Sequence, residues 1–303
     1  MSTSRVLVLG GTGMLGAMVA DVLSRDPKIT LTVTARRERV GLAGPARAAR
    51  CLPLDAESDQ DGLPSLLAEG FDWIVNAIGV IKPYIKDTDP AQTERAVRVN
   101  GLFPHRLARA AGAAGLPVLQ IATDCVYSGK AGRYGEDAPH DALDVYGKSK
   151  SLGEVPAPAM HHLRCSIIGP ELAGHLSLLD WFRGQAQGAQ LTGYANHLWN
   201  GVTTYHYAHL CQGVIHSGRR PAARQHVVPT GMVTKAEMLE TFATVYGRKD
   251  LTIRRGEAAV VIDRTLSTQD EAANRALWSA AGYATPPSFG QMMTELAAHP
   301  FNQ

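Results

Sequence analysis

Apolar residues in the first half of the chain gather into short unbroken runs, each followed by a stretch with the spacing of one helix face. Residues 5–9 (RVLVL), 29–34 (ITLTVT), 50–54, 71–77 (FDWIVNA), 117–122 (PVLQIA) and 162–168 read as strands. Residues 14–24, 60–69 and 90–114 read as helices between them. Runs without polar alternation suit strands covered on both faces, as in a parallel sheet. Strand and helix in alternation predict right-handed βαβ units, so the expected fold class is α/β, a doubly wound parallel sheet. After about residue 170 the pattern loosens. Gly, Asn, His and aromatic residues interleave at 193–207 (GYANHLWNGVTTYHY), and β-prone runs at 225–229, 252–255 and 259–263 flank a helix at 235–246. The expected division is a cofactor domain at 1–170, with segments near 200–230 returning to it, and a smaller interleaved C-terminal substrate lobe at 171–303.

The first strand runs straight into Gly10-Gly11-Thr12-Gly13-Met14-Leu15-Gly16, which opens the first helix. Gly10 permits a tight turn, Gly13 admits a pyrophosphate to the backbone, and Gly16 lets helix and strand pack closely. The anion would sit on free N–H groups at the positive end of the helix. This makes the sheet Rossmann-type and implies a dinucleotide. The second strand ends in Thr34-Ala35-Arg36-Arg37, without the acid that would bind a ribose 2′-hydroxyl. Two guanidinium groups suit a 2′-phosphate, so NADPH is expected over NADH. Asp55 is a candidate for the adenine amine or a cap for its own turn. Ala77, Ile78 and Gly79 close the fourth strand with small residues where a cofactor can approach.

Composition narrows the class. The chain has 303 residues, 45% hydrophobic and 19% charged, which excludes a disordered protein. Thirty Lys+Arg against 28 Asp+Glu leave a net charge of +2, too small for a nucleic-acid footprint. The histidines are scattered and propose no metal site. No apolar run is long enough to span a membrane, and the N-terminus lacks the apolar region of a signal peptide. Cys51, Cys125, Cys165 and Cys211 fit no CxxC pattern, so free thiols and a cytoplasmic location are expected.

Tyr146 and Lys150 stand four residues apart, one face of a helix. A nearby ammonium stabilises a phenolate, and moving its pKa from about 10 to about 7 takes roughly 4 kcal/mol. Thr123, at the end of the fifth strand in IATDCVY, offers a hydroxyl that could polarise a carbonyl with the tyrosine.

The ordered set GGTGMLG, NAIG, Val99-Asn100, TDCVYSG and YGKSK resembles the extended short-chain dehydrogenase/reductase superfamily over residues 5–155. TDCVYSG, GRYGEDAP, VYGKSKSLGE and LRCSIIGPE resemble in particular the dTDP-4-dehydrorhamnose reductase group. The resemblance implies a catalytic set of Thr123, Tyr146 and Lys150, with Asp124 beside it, and Tyr146 protonating a substrate oxyanion. It implies that Tyr146 and Lys150 also bind the cofactor, Lys150 at the nicotinamide ribose, that Asn100 contacts the cofactor and supports the helix and a proton relay, and that Ser166 faces the nicotinamide. Val80 and Lys82 would border the substrate cleft, with Trp199, Asn200 and Thr203 near the sugar. Arg254, Arg255 and Arg264 are candidates for its diphosphate. The expected function is NADPH-dependent reduction of the 4-keto group of a nucleotide-linked 4-keto-6-deoxyhexose. The expected partners are that nucleotide sugar and a second copy in a homodimer, with no nucleic acid and no membrane.

Two alternatives stand beside it. Cys125 occupies the place of the cysteine in GDP-fucose synthase, and His175 follows Gly169-Pro170 where that enzyme has a histidine. The pair would make an epimerase–reductase. The other alternative is a non-catalytic NADPH-binding regulator or accessory subunit.

Overall fold

The structure is a computed structural model and describes residues 3–36, 42, 44–58 and 62–302. Its first part runs β1 (Ser4–Leu9), α1 (Met14–Ser24), β2 (Ile29–Ala35), β3 (Arg50–Pro53), α2 (Leu63–Leu67), β4 (Trp73–Asn76), α3 (Pro90–Ala96), α4 (Phe103–Ala114), β5 (Val118–Thr123), α5 (Val145–Leu152) and β6 (Met160–Cys165). The second part runs β7 (Ile167–Ile168), α6 (Leu178–Arg183), β8 (Gln190–Tyr194), β9 (His197–Trp199), β10 (Val202–Thr203), α7 (Thr204–Ser217) and β11 (Arg224–His226). It closes with β12 (Val233–Thr234), α8 (Lys235–Val245), β13 (Thr252–Gly256), β14 (Ile262–Asp263), α9 (Glu271–Ala280) and α10 (Phe289–Ala298).

Seven strands make one all-parallel sheet in the order β11-β6-β5-β4-β1-β2-β3. Alternation along β1 shows why its run is unbroken. Val6 and Val8 point into a core shared with α1 and α7, whereas Leu7 and Leu9 point into a second core with α2 and α4. Both faces are covered, which is the doubly wound Rossmann-type arrangement. The later elements form small sheets, β8 with β13 and β12-β9-β14, packed with α8 and α10. Two segments leave this region for the main sheet: α7 packs on α1, and β11 pairs with β6.

Three elements differ from the hydrophobic pattern. The stretch 90–114 is not one uniform helix, because residues Val97–Leu102 between α3 and α4 form a wide turn of π-type hydrogen bonding. Pro104 has no N–H to give and its ring crowds the carbonyl four residues back, that of Asn100, so the turn widens there. Gly153 packs so near that a Cβ on it would collide with that carbonyl oxygen. The run 162–168 is broken at Ser166 into β6 and β7, and of 259–263 only Ile262–Asp263 is a strand.

Asp21, fully buried on α1, fastens the C-terminal segment to the sheet. It accepts from Arg25 Nε at 3.0 Å and pairs with His299 Nε2 at 2.7 Å. Burial pushes its carboxyl up, but the hydrogen bonds from His299 and Arg25 outweigh that and hold it below the ordinary value. A depressed folded-state pKa contributes stability above the unfolded value, about 3.9, and loses it as pH falls through the folded value. Asp21→Asn should therefore lower stability by about 2 kcal/mol at neutral pH. Thermal melts across pH should show the gap to wild type closing below about pH 4; a gap of equal size at pH 7 and pH 3 would contradict the assignment.

Candidate active site

The glycine turn is built to leave N–H groups free. The Gly10 N–H bonds Thr34 Oγ1 at 3.1 Å and the Gly11 N–H bonds the Thr34 carbonyl at 2.8 Å, tying the turn to the end of β2. Gly10 takes φ +80°, and a Cβ on Gly16 would collide with the Gly10 carbonyl. The N-cap of α1 is Gly13, with no side-chain cap and no acid in the first turn. The donors at this helix end thus stay open to an anion. Gly13 is exposed, with Thr12 and Met14 half-buried, whereas Leu15 is a core residue whose contribution would be its backbone. Across the crevice the Ile78 N–H bonds Asn76 Oδ1 at 3.1 Å, Ala77 follows β4 and Gly79 is exposed. A dinucleotide fits this donor set.

Arg36 lies exposed at the end of β2, 3.8 Å from Glu57, and Arg37 lies outside the described residues. Asp55 is exposed and accepts from the Glu57 N–H at 3.0 Å, closing its own turn.

At the carboxyl end of β5 the sequence candidates converge. Thr123 Oγ1 accepts from the Cys125 N–H at 3.2 Å and donates to Asp124 Oδ1 at 3.2 Å, and its hydroxyl lies near enough to the Tyr146 phenol to favour the phenolate. Asp144 caps α5 by accepting from the Gly147 N–H at 2.8 Å, which starts the helix so that Tyr146 and Lys150 face the same strand end. Lys150 is buried and donates to the Ile121 carbonyl at 3.1 Å.

The electrostatics correct one expectation. Lys150 does not pull the Tyr146 phenol down. Burial raises it, the nearby carboxylates of Asp124 and Asp144 add to the rise, and the Thr123 hydroxyl opposes them only in part. Tyr146 is held as a phenol, which is the proton-donating form. Burial lowers Lys150 to about 8 and raises Asp124. Burial also pushes the Cys125 thiol up to about 12, aided by Asp124.

Asn100, carried on the wide turn before α4, acts as a strut. Its Oδ1 accepts from the Val80 N–H at 2.8 Å, and its Nδ2 donates to the Val80 carbonyl at 2.9 Å and to Ser149 Oγ at 3.1 Å. Ser149 Oγ in turn donates to the Tyr146 carbonyl at 2.9 Å. One buried amide thus sets the loop after β4 against the helix of Tyr146. With its polar atoms taken by the protein, Asn100 positions the site instead of contacting a cofactor. Val80 is likewise corrected, since its side chain lies in the core and not on the cleft.

The expected sugar contacts are mostly structural. Trp199 is buried and donates to Ser166 Oγ at 2.8 Å. Asn200 brackets the Leu266 backbone at 2.7 and 2.9 Å. Thr203 is fully buried, caps α7 and pairs with His206 at 2.7 Å, so it cannot meet a substrate. Arg255 pairs with Glu240 on the outside and Arg254 is exposed. Lys82 is exposed and pairs with Asp144 at 2.7 Å. Arg264 donates to the Tyr127 carbonyl at 2.8 Å while its charge acts on Asp124 and Cys125. The Cys125–His175 pair is not formed: His175 is 66% exposed and its Nδ1 lies 3.0 Å from Asp180. Lys235, absent from the sequence candidates, also faces Asp124 and Cys125. Its signal was a lysine in the first turn of a helix, the end a cation disfavours.

The fold and site together define a dinucleotide-binding α/β protein with a Thr/Tyr/Lys centre. The profile of the family described as RmlD substrate binding domain matches residues 4–168, and the chain belongs to that family. A dTDP-4-dehydrorhamnose reductase of Streptomyces griseus is 45% identical over 69 residues, 22% of this chain and 23% of that protein. A methionine adenosyltransferase 2 subunit beta of Danio rerio is 31% identical over 150 residues, 50% of this chain and 42% of that protein. The chain thus matches less than half the length of these curated relatives. A solved dTDP-4-dehydrorhamnose reductase of Bacillus anthracis, in complex with NADP, superposes with a TM-score of 0.73 at 16% identity, covering 97% of this chain and 98% of that one. That likeness is one of fold.

Asn100→Ala should leave the protein folded but loosen the loop after β4 from α5. If the centre turns over a substrate, kcat should fall about tenfold or more while NADPH affinity changes less. A fall in NADPH affinity with kcat intact would show that Asn100 serves the cofactor directly.

Proposed function

We propose that the protein reduces the 4-keto group of a nucleotide-linked 4-keto-6-deoxyhexose with NADPH. The observation that carries this reading is the convergence of Thr123, Tyr146 and Lys150 at the end of β5, beside the uncapped N-terminus of α1. The Gly10–Gly16 turn would hold the cofactor diphosphate, and Arg36 and Arg37 its 2′-phosphate. When bound, NADPH supplies hydride to the carbonyl carbon. Thr123 and Tyr146 orient the carbonyl oxygen, and the Tyr146 phenol gives it a proton as negative charge develops there. The raised phenol pKa suits this direction of reaction, because the donor is fully protonated at neutral pH. Lys150, by analogy with the family, binds the nicotinamide ribose. The site has no thiolate–histidine base, which supports simple reduction over epimerisation.

A second reading is favoured by the relative whose name marks it as a subunit of another enzyme: a non-catalytic NADPH-binding accessory protein. Incubation with NADPH and dTDP-, UDP-, GDP- and CDP-linked 4-keto-6-deoxyhexoses separates the two. The reductase reading predicts NADPH oxidation with at least one of these sugars and a fall of about 10²–10⁴-fold in Tyr146→Phe. Full activity in Tyr146→Phe would remove the mechanism. NADPH binding without oxidation across the panel would favour the accessory reading.

A further inference from the structure

Lys235 opens α8 in a position that is unfavourable for a cation. The capping of that helix is complete without it, since the Glu237 N–H donates to Thr234 Oγ1 at 3.1 Å and the Thr234 N–H donates to the Glu237 carboxylate at 2.7 Å. The Lys235 ammonium lies 5.8 Å from the centroid of the Trp199 ring and donates to Met238 Sδ at 3.5 Å, a weak acceptor. None of the ion pairs among the described residues includes Lys235 or Arg264. The ammonium is withdrawn from water and stands at the positive end of a helix; Asp124 attracts it and Arg264 repels it, and burial still outweighs the attraction. Costly charges kept in a cleft are candidates for function.

The place of the pair says which anion it would meet. Arg264 bonds the Tyr127 carbonyl just past β5 at 2.8 Å, and Lys235 lies over the ring of Trp199, whose N–H bonds Ser166 just past the neighbouring β6, so both charges stand at the strand ends where Thr123 and Tyr146 converge. Lys82, the other cation near Cys125, is already paired with Asp144. In a nucleotide sugar the diphosphate hangs one pyranose ring from carbon 4. Its seat must therefore lie across one sugar ring from Thr123 and Tyr146. We propose that Lys235, together with Arg264, forms the seat of the substrate diphosphate. The proposal rests on the nucleotide-sugar reading of the function. It assigns Lys235 to binding and not to the proton transfer itself, because a lysine acts on phosphate as a movable point charge.

Calorimetric titration of the intact protein with dTDP, UDP, GDP, CDP and inorganic diphosphate tests it, with NADPH as the control ligand and Lys235→Gln and Lys235→Arg as variants. Lys235→Gln should weaken the nucleoside diphosphate that wild type binds by about tenfold or more. Lys235→Arg should keep most of the affinity, and NADPH affinity should not change. The Tm of Lys235→Gln should change little, because the ammonium makes no direct ion pair and its buried charge is offset by its attraction to Asp124. Unchanged affinity for the nucleoside diphosphate in Lys235→Gln overturns the assignment. A lower Tm with parallel losses for nucleotide and NADPH makes Lys235 structural and also overturns it. Wild-type protein that binds none of the four nucleotides overturns the substrate reading itself, which separates that failure from the failure of Lys235.

Discussion

A guanidinium taken out of water has to find partners for its N–H groups, and Arg164 on β6 finds them on several separate segments. Only 1% of its side chain is exposed. Its Nε and Nη2 bond Glu154, just past α5; Nη1 bonds the Tyr127 hydroxyl at 2.6 Å and His226 on β11 at 2.7 Å; Nη2 also meets His140 at 2.9 Å. His226 passes a bond from Nδ1 to the Ser267 carbonyl, so its Nε2 must be the acceptor, and burial with Arg164 beside it brings its pKa down to about 4. An ion this deep is stable only with its partners in place. It therefore fixes the end of α5 against the loop after β5, and with them the angle at which Tyr146 meets Thr123. Asn100 does the same from the other side.

That double support gives the site its chemistry. Tyr146 is packed beside Asp124, Cys125 and Asp144, surroundings that hold its proton on. Lys150 is buried against a strand carbonyl and brought to about 8, so its charge sits close to neutral titration. A phenol kept protonated beside a threonine hydroxyl suits the proposed donation to a developing alkoxide. The glycine turn, at the end of β1 and two sheet positions from β5, keeps helix donors free for an anion.

Much of the sheet was legible because buried parallel strands write themselves as unbroken apolar runs, and the glycine turn because its geometry tolerates few other residues. The Tyr146 and Lys150 pair was legible because four-residue spacing on a helix is local, and Thr123 joined it through the family resemblance. What failed to show was tertiary. The run at 194–207 looked like a sugar-binding surface, yet Trp199, Asn200 and Thr203 spend their polar atoms on Ser166, Leu266 and His206. Cys125 and His175 looked like a pair, but a loop with His175 at φ +51° aims the ring at Asp180. The wide turn that carries Asn100 had a sign in Pro104, hidden within an otherwise regular helical pattern. Lys235 was read only as part of a helix, because its partners lie far away in sequence.

The central claim is that this centre delivers hydride to a sugar carbonyl and a proton to its oxygen. The direct measurement is nuclear magnetic resonance of the sugar product formed with NADPH deuterated at the transferring position of the nicotinamide. The account predicts one deuterium, bonded to carbon 4 of the sugar, and none at its neighbours. A product without deuterium at carbon 4 would contradict it.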